Sequence, residues 1–141
     1  MRVLFDTNVY ISYLLRPDQE GIVQTVIEAG FEGKYILLLP QEVINELSQK
    51  LESKKYLLKR ISPTNIHSFI NSLITIAKII PAITDPIPRV TRDYKDDYLL
   101  AYALVGEADY LVSGDLDVLT IKKIQGVTII SPAEFYEILM G

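Results

Sequence analysis

Short apolar runs that end on polar or acidic residues constrain this chain more than any other feature. Val3-Leu4-Phe5 stops abruptly at Asp6, and Tyr110-Leu111-Val112 stops at Ser113, with Gly114-Asp115-Leu116-Asp117 behind it. Tyr35–Leu39 and Val127–Ile130 are runs of the same kind, and Ile79–Ile83 is a further candidate. Such short continuous runs suit strands buried on both faces, as in a parallel sheet covered by helices.

Helical spacing fills the gaps between these runs. Val9–Leu15 reads as a short helix ending near Arg16-Pro17-Asp18. Ile22, Val23, Val26, Ile27 and Ala29 share a stripe, with Gly30 as its stop. Val43, Ile44, Leu47 and Leu51 make another stripe, as do Ile66, Phe69, Ile70, Leu73, Ile74 and Ala77. Asp85–Pro88 reads as a rigid turn. Leu100, Ala101, Leu104, Val105 and Ala108 share a later face. Ser131-Pro132-Ala133-Glu134 supplies an N-cap, a first-turn proline and a capping-box glutamate for a last helix that turns Phe135, Ile138 and Leu139 inward. Strands alternating with helices predict an α/β fold, three layers α/β/α around a central parallel sheet of four to five strands. No repeat or boundary divides it, so residues 1–141 are expected to form one domain.

Composition narrows the function classes. A chain of 141 residues is expected to bury about two-thirds of its unfolded surface. Hydrophobic residues make up 49% of it, and mean hydropathy is +0.22, high for a soluble protein. No apolar run approaches the ~20 residues of a membrane span, and no cationic start precedes a long apolar stretch. The expectation is a cytoplasmic protein whose surplus apolar surface meets a second copy or a partner. Cysteine is absent and His67 is the single histidine, which rules out disulfides and thiolate metal sites. A net charge of −4 argues against a surface built throughout for nucleic acid, but not against a local basic strip. Lys50, Lys54, Lys55, Lys59 and Arg60 form such a strip, readable as an ordinary solvated face or as a contact for phosphates or an acidic partner.

The acids carry the chemistry. Ligands of parallel sheets bind just beyond the carboxyl ends of the strands, where Asp6 and Asp115 fall. Thr7 and Asn8 can cap the next helix, although Asp6 could itself be no more than a cap. Glu46, on the helix after the second strand, can reach the same edge. So can the start of the helix before the Tyr110 strand. There Asp97 precedes Leu100 and Ala101 by three and four residues and is expected to point to their buried side. Asp96 would be turned about 100° away. Each close pair of acids would repel by about 4 kcal/mol at 4 Å with an effective dielectric near 20. Divalent cations relieve that repulsion, and a carboxylate set selects Mg²⁺ or Mn²⁺ over zinc. The chemistry of such a site is metal-assisted phosphoester hydrolysis.

The order of these pieces resembles the PIN-domain family, the nuclease domain of many toxin–antitoxin toxins of the VapC-like kind. The matching stretches are Phe5-Asp6-Thr7-Asn8-Val9, Glu42–Leu47, Asp96–Ala101 and Leu111–Asp117. The resemblance implies a metal-dependent endoribonuclease acting on RNA, often a homodimer and often held by an antitoxin. It implies Asp6, Glu46, Asp97 and Asp115 as catalytic and metal-site acids, Asp117 as an additional metal acid, and Asn8 and Ser113 as orienting residues. Two rivals stand beside it. One is a non-catalytic module of the same fold that binds RNA or a protein. The other is phosphotransfer through Asp6, against which the lack of a second acid two residues on is an argument.

Overall fold

The computed structural model describes residues 1–15, 21–53 and 61–141, the side chains of Glu52 and Ser53 excepted. The expected helix end at Arg16-Pro17-Asp18 and the strip residues Lys54, Lys55, Lys59 and Arg60 lie outside the described residues.

The elements run β1 (Arg2–Phe5), α1 (Thr7–Leu15), α2 (Ile22–Phe31), β2 (Ile36–Pro40), α3 (Gln41–Ser53), α4 (Pro63–Ile76) and β3 (Lys78–Ile80). After these come α5 (Tyr94–Val105), β4 (Tyr110–Val112), α6 (Leu116–Leu119), β5 (Lys123–Ile124), β6 (Val127–Ile130) and α7 (Pro132–Met140). The strands form one sheet in the order β3-β2-β1-β4-β6-β5. Every pairing is parallel except that of β5 with β6. The two-residue β5, too short to show a pattern, makes the sheet six-stranded and mixed at one edge.

Side chains alternate across the sheet, as the pleat requires. Val3, Phe5, Leu37, Leu39, Val112 and Ile130 face a core shared with α1, α2, α3, α4 and α7. Leu4, Leu38, Leu111 and Ile129 face the second core, built with α5 and α6. Helices on both faces explain why the strand sequences are apolar at every position. Each fully buried Leu, Val or Phe contributes about 1.5–3 kcal/mol of transfer free energy.

Several local expectations shift. Thr7 and Asn8 lie inside α1 rather than capping it, because Asp6 takes the position before the helix, with its carbonyl accepting from Val9 N–H at 3.0 Å. Gly30 does not end α2, which continues to Phe31; a Cβ on Gly30 would sit 2.7 Å from the Tyr35 hydroxyl. That glycine permits close packing, and Gly33, at φ +78°, makes the turn. Ile138 of α7 is exposed, while Phe135 is buried and Tyr136 and Leu139 pack on the core. In α5 the buried positions are Asp96, Asp97, Leu99, Leu100, Tyr102 and Ala103, so Asp97 is buried as expected, while Ala101 and Leu104 are half-buried and Val105 is 60% exposed. Its buried face is therefore rotated by about one residue from the Leu100-Ala101-Leu104-Val105 face that the sequence suggests.

Candidate active site

In parallel strands the carboxyl ends share one edge, and β1 and β4 are in register with Phe5 beside Val112. Asp6 and Ser113 therefore emerge side by side. The Ser113 hydroxyl donates to Asp6 Oδ2 at 2.9 Å and accepts from the Asp115 N–H at 3.0 Å. This one buried hydroxyl joins two acids that are distant in sequence. Asp115 Oδ1 accepts from the Asp117 N–H at 2.9 Å and caps α6. Asp6 Oδ1 meets the Asn8 N–H at 3.4 Å, so a weak cap and a site role coexist in the same side chain.

A helix that leads back into a parallel strand starts at this edge. The start of α5 is fixed by Asp93, whose side chain accepts from the Lys95 N–H at 2.9 Å. From that cap, Asp96 turns toward the other acids. Burial, then Asp115, Asp93, Asp6 and Asp117 in that order, push its carboxyl up to about 6. Its Oδ2 is buried without a hydrogen-bond partner among the described residues. Burial likewise raises Asp6, opposed by Ser113 and the Asn8 N–H, with Glu46 adding to the rise.

Asp97 does something else, contrary to its expected place among the acids. It is 1% exposed, and its Oδ1 accepts from Val90 N–H at 2.9 Å, Thr91 N–H at 2.7 Å and the Thr91 hydroxyl at 3.0 Å. Arg89 Nε lies 3.0 Å from its Oδ2. Burial pushes the carboxyl up, but these three hydrogen bonds and the Arg89 charge outweigh it and hold it below its usual range. Asp97 thus fastens the loop before α5, and Asp96 is the member of the doublet that joins Asp6 and Asp115. The physical reason is the phase of α5, set by packing Leu99, Leu100 and Ala103 against Leu4 and Leu111.

The outer acids carry cations. Glu46 Oε1 lies 3.0 Å from Lys50 Nζ and 4.0 Å from Lys95 Nζ, and its Oε2 accepts from the Thr7 hydroxyl at 3.2 Å. Asp117 pairs with Arg92 at 2.6 Å. The Asn8 side-chain oxygen accepts from Lys50 Nζ at 3.3 Å, the same lysine that pairs with Glu46. Sequence reasoning missed Thr7, Arg92 and Lys95 as neighbours of the acids. Only Lys50, four residues after Glu46, could have been read as an i,i+4 partner.

The donor set is carboxylate only, its members lie close enough to raise the Asp96 carboxyl, and Asp96 keeps a buried oxygen without a hydrogen-bond partner among the described residues. Those features fit a hard divalent ion. As they stand, no three such side chains among the described residues enclose an ion position.

Residues 2–117 match the sequence profile of the PIN domain family. The chain is 26% identical over 122 residues to the uncharacterized protein MJ1680 of Methanocaldococcus jannaschii, covering 86% of this chain and 76% of that one. It is similar in fold to the crystal structure of PAE2754 from Pyrobaculum aerophilum, with a TM-score of 0.65 at 16% identity, covering 99% of this chain and 90% of the other. It also matches the crystal structure of VapBC2 from Rickettsia felis bound to a DNA fragment from their promoter. There the TM-score is 0.61 at 14% identity, over 93% of this chain and 98% of the other. From the extent of the profile match, and a sheet edge built in the order its motifs anticipate, the chain belongs to the PIN domain family.

Proposed function

We propose that the chain is a Mg²⁺- or Mn²⁺-dependent endoribonuclease that hydrolyses RNA phosphodiester bonds, and the toxin of a toxin–antitoxin pair. The observation that carries this reading is the buried Asp96 oxygen without a hydrogen-bond partner among the described residues, on a carboxyl that Asp6 and Asp115 act on at the carboxyl edge of the sheet. Asp6, Asp96 and Asp115 would hold the ion, with Glu46 and Asp117 as further acids of the set. Held by these acids, a divalent ion would supply water activation and charge stabilisation at the leaving oxygen. Ser113 keeps Asp6 and Asp115 oriented by bonding both. Thr7 fixes Glu46, which can assist the water. Lys50 and Lys95, already beside Glu46, are placed to meet substrate phosphates.

The partner side of the proposal draws on the likeness to VapBC2, which was crystallised bound to a DNA fragment from their promoter. Exposed Ile74, Ile76 and Ile79, at the end of α4 and on the edge strand β3, are suited to a subunit contact, consistent with a homodimer. No described helix is long and apolar enough to cross a membrane, and a cytoplasmic location goes with an RNA substrate.

The rival reading, a PIN-fold module that binds RNA or a protein without cutting, draws support from the cations already seated on Glu46 and Asp117. One experiment separates them. Structured RNA is incubated with the protein in Mn²⁺, in Mg²⁺ and in EDTA, alongside Asp6→Asn and Asp96→Asn. Cleavage that needs the ion and both acids is the expected result. Equal product from all samples, or tight binding with no product, defeats the nuclease reading.

A further inference from the structure

Between α3 and α5, reaching the acids at Glu46, lies a groove of about 290 Å³ whose tyrosine and amide walls the hydrolytic scheme leaves unused. One wall is a row of tyrosines from α5. Tyr94 and Tyr98 meet edge to face with centroids 4.5 Å apart, and their hydroxyls bond at 2.9 Å. Tyr98 and Tyr102 lie nearly parallel, 23° apart with centroids at 6.5 Å. The opposite wall carries Asn45 and Gln49, one helical turn apart on α3, both exposed. Glu46 and Lys95 line the groove as well, so its end adjoins the acid edge at Glu46.

From these features we infer that the groove is a subsite for an unpaired RNA base next to the scissile phosphate, resting on the nuclease reading above. Single-stranded RNA is read by splaying a base onto an aromatic face and bonding its edge. The groove offers both parts. Tyr94, 47% exposed at the first turn of α5, presents aromatic surface to solvent. The amides of Asn45 and Gln49 donate and accept, so they can meet any base edge. Lys50 and Lys95 sit at the end nearest the acids, where the phosphates flanking a seated base would lie. The size decides between occupants. At the lower bound of small-molecule pockets, about 300 Å³, it admits one planar group and is too small for a partner helix.

The test uses the full chain and a series of RNA oligomers that differ only in the place of one abasic ribose around the cleaved bond. With wild-type protein, one position is expected to raise KM by roughly 5- to 150-fold, the range set by stacking one base on an aromatic ring. Tyr94→Ala should raise KM for intact RNA by a similar factor and lose the penalty for that abasic position. Asn45→Ala and Gln49→Ala, on the other helix, should shrink the penalty while leaving kcat unchanged, so a folding defect in one variant does not decide the matter. Cleavage by wild type with the same abasic penalty in all variants overturns the subsite and leaves the nuclease reading intact. Loss of affinity for a protein partner, with the abasic penalty unchanged, assigns the groove to that partner and overturns the subsite too. Failure of wild type to cut any RNA in Mg²⁺ or Mn²⁺ overturns both.

Discussion

Replacing Asp96 and Asp97 one at a time by asparagine should change stability in opposite directions. At pH 7.5 without metal, Asp96 is a buried charge among Asp115, Asp93, Asp6 and Asp117, which together with burial hold its carboxyl near 6 rather than the usual 3.8. Each pH unit of such a rise is about 1.36 kcal/mol, so the strain has a ceiling of about 3 kcal/mol, and solvent screening at the site mouth brings it to roughly 1–2 kcal/mol. Asp96→Asn removes that charge and should stabilise by this amount, raising Tm by roughly 3–5 °C per kcal/mol in a chain of this size. Asp97 is the reverse case, because three hydrogen bonds and Arg89 favour its charged form. Asparagine keeps part of that geometry without the charge, so Asp97→Asn should cost about 1.5–3 kcal/mol.

The pH dependence separates the two further. A raised folded pKa means that the native state binds the extra proton, so wild-type stability falls as pH rises from about 4 to about 6 and is level above. The advantage of Asp96→Asn should therefore be full above pH 6 and vanish near pH 4. A lowered folded pKa gives stability that is complete above 3.8 and lost as pH falls below it, so the deficit of Asp97→Asn should shrink only in that acid range. Urea unfolding in EDTA from pH 3 to 8 reads both curves. If Asp96→Asn is destabilised at pH 7.5 as much as Asp97→Asn, the assignment of the doublet is wrong.

Other outcomes follow from the same geometry. Mn²⁺ at about 100 times its Kd should stabilise wild type by about 2.7 kcal/mol, seen as a rise in Tm, and Asp6→Asn should show little of that rise. Ser113→Ala strands Asp6 Oδ2 and the Asp115 N–H, and should lose about 1–3 kcal/mol of stability together with most cleavage; calorimetry beside an RNA assay checks both. The Tyr10 hydroxyl is buried with no hydrogen-bond partner among the described residues, so Tyr10→Phe should leave Tm unchanged or raise it. A fall of several degrees would reveal a partner for that hydroxyl.

Much of this molecule was legible in its sequence because strands buried on both faces must be apolar throughout and must alternate with helices that cover them. That rule located β1, β2, β4 and β6, placed Asp6 and Asp115 at strand ends, and brought the motifs into an order that resembles the PIN-domain family. Tertiary packing alone decided which acid of the Asp96-Asp97 pair turns to the site. Tyr98–Val105 is apolar on nearly every side, so no stripe sets the phase of α5, and the one-residue rotation comes from its fit against Leu4 and Leu111. The same holds for Thr7 on Glu46, Arg92 on Asp117 and the tyrosine groove. Each joins residues far apart in the chain, and a linear pattern holds no record of which distant side chains packing brings together.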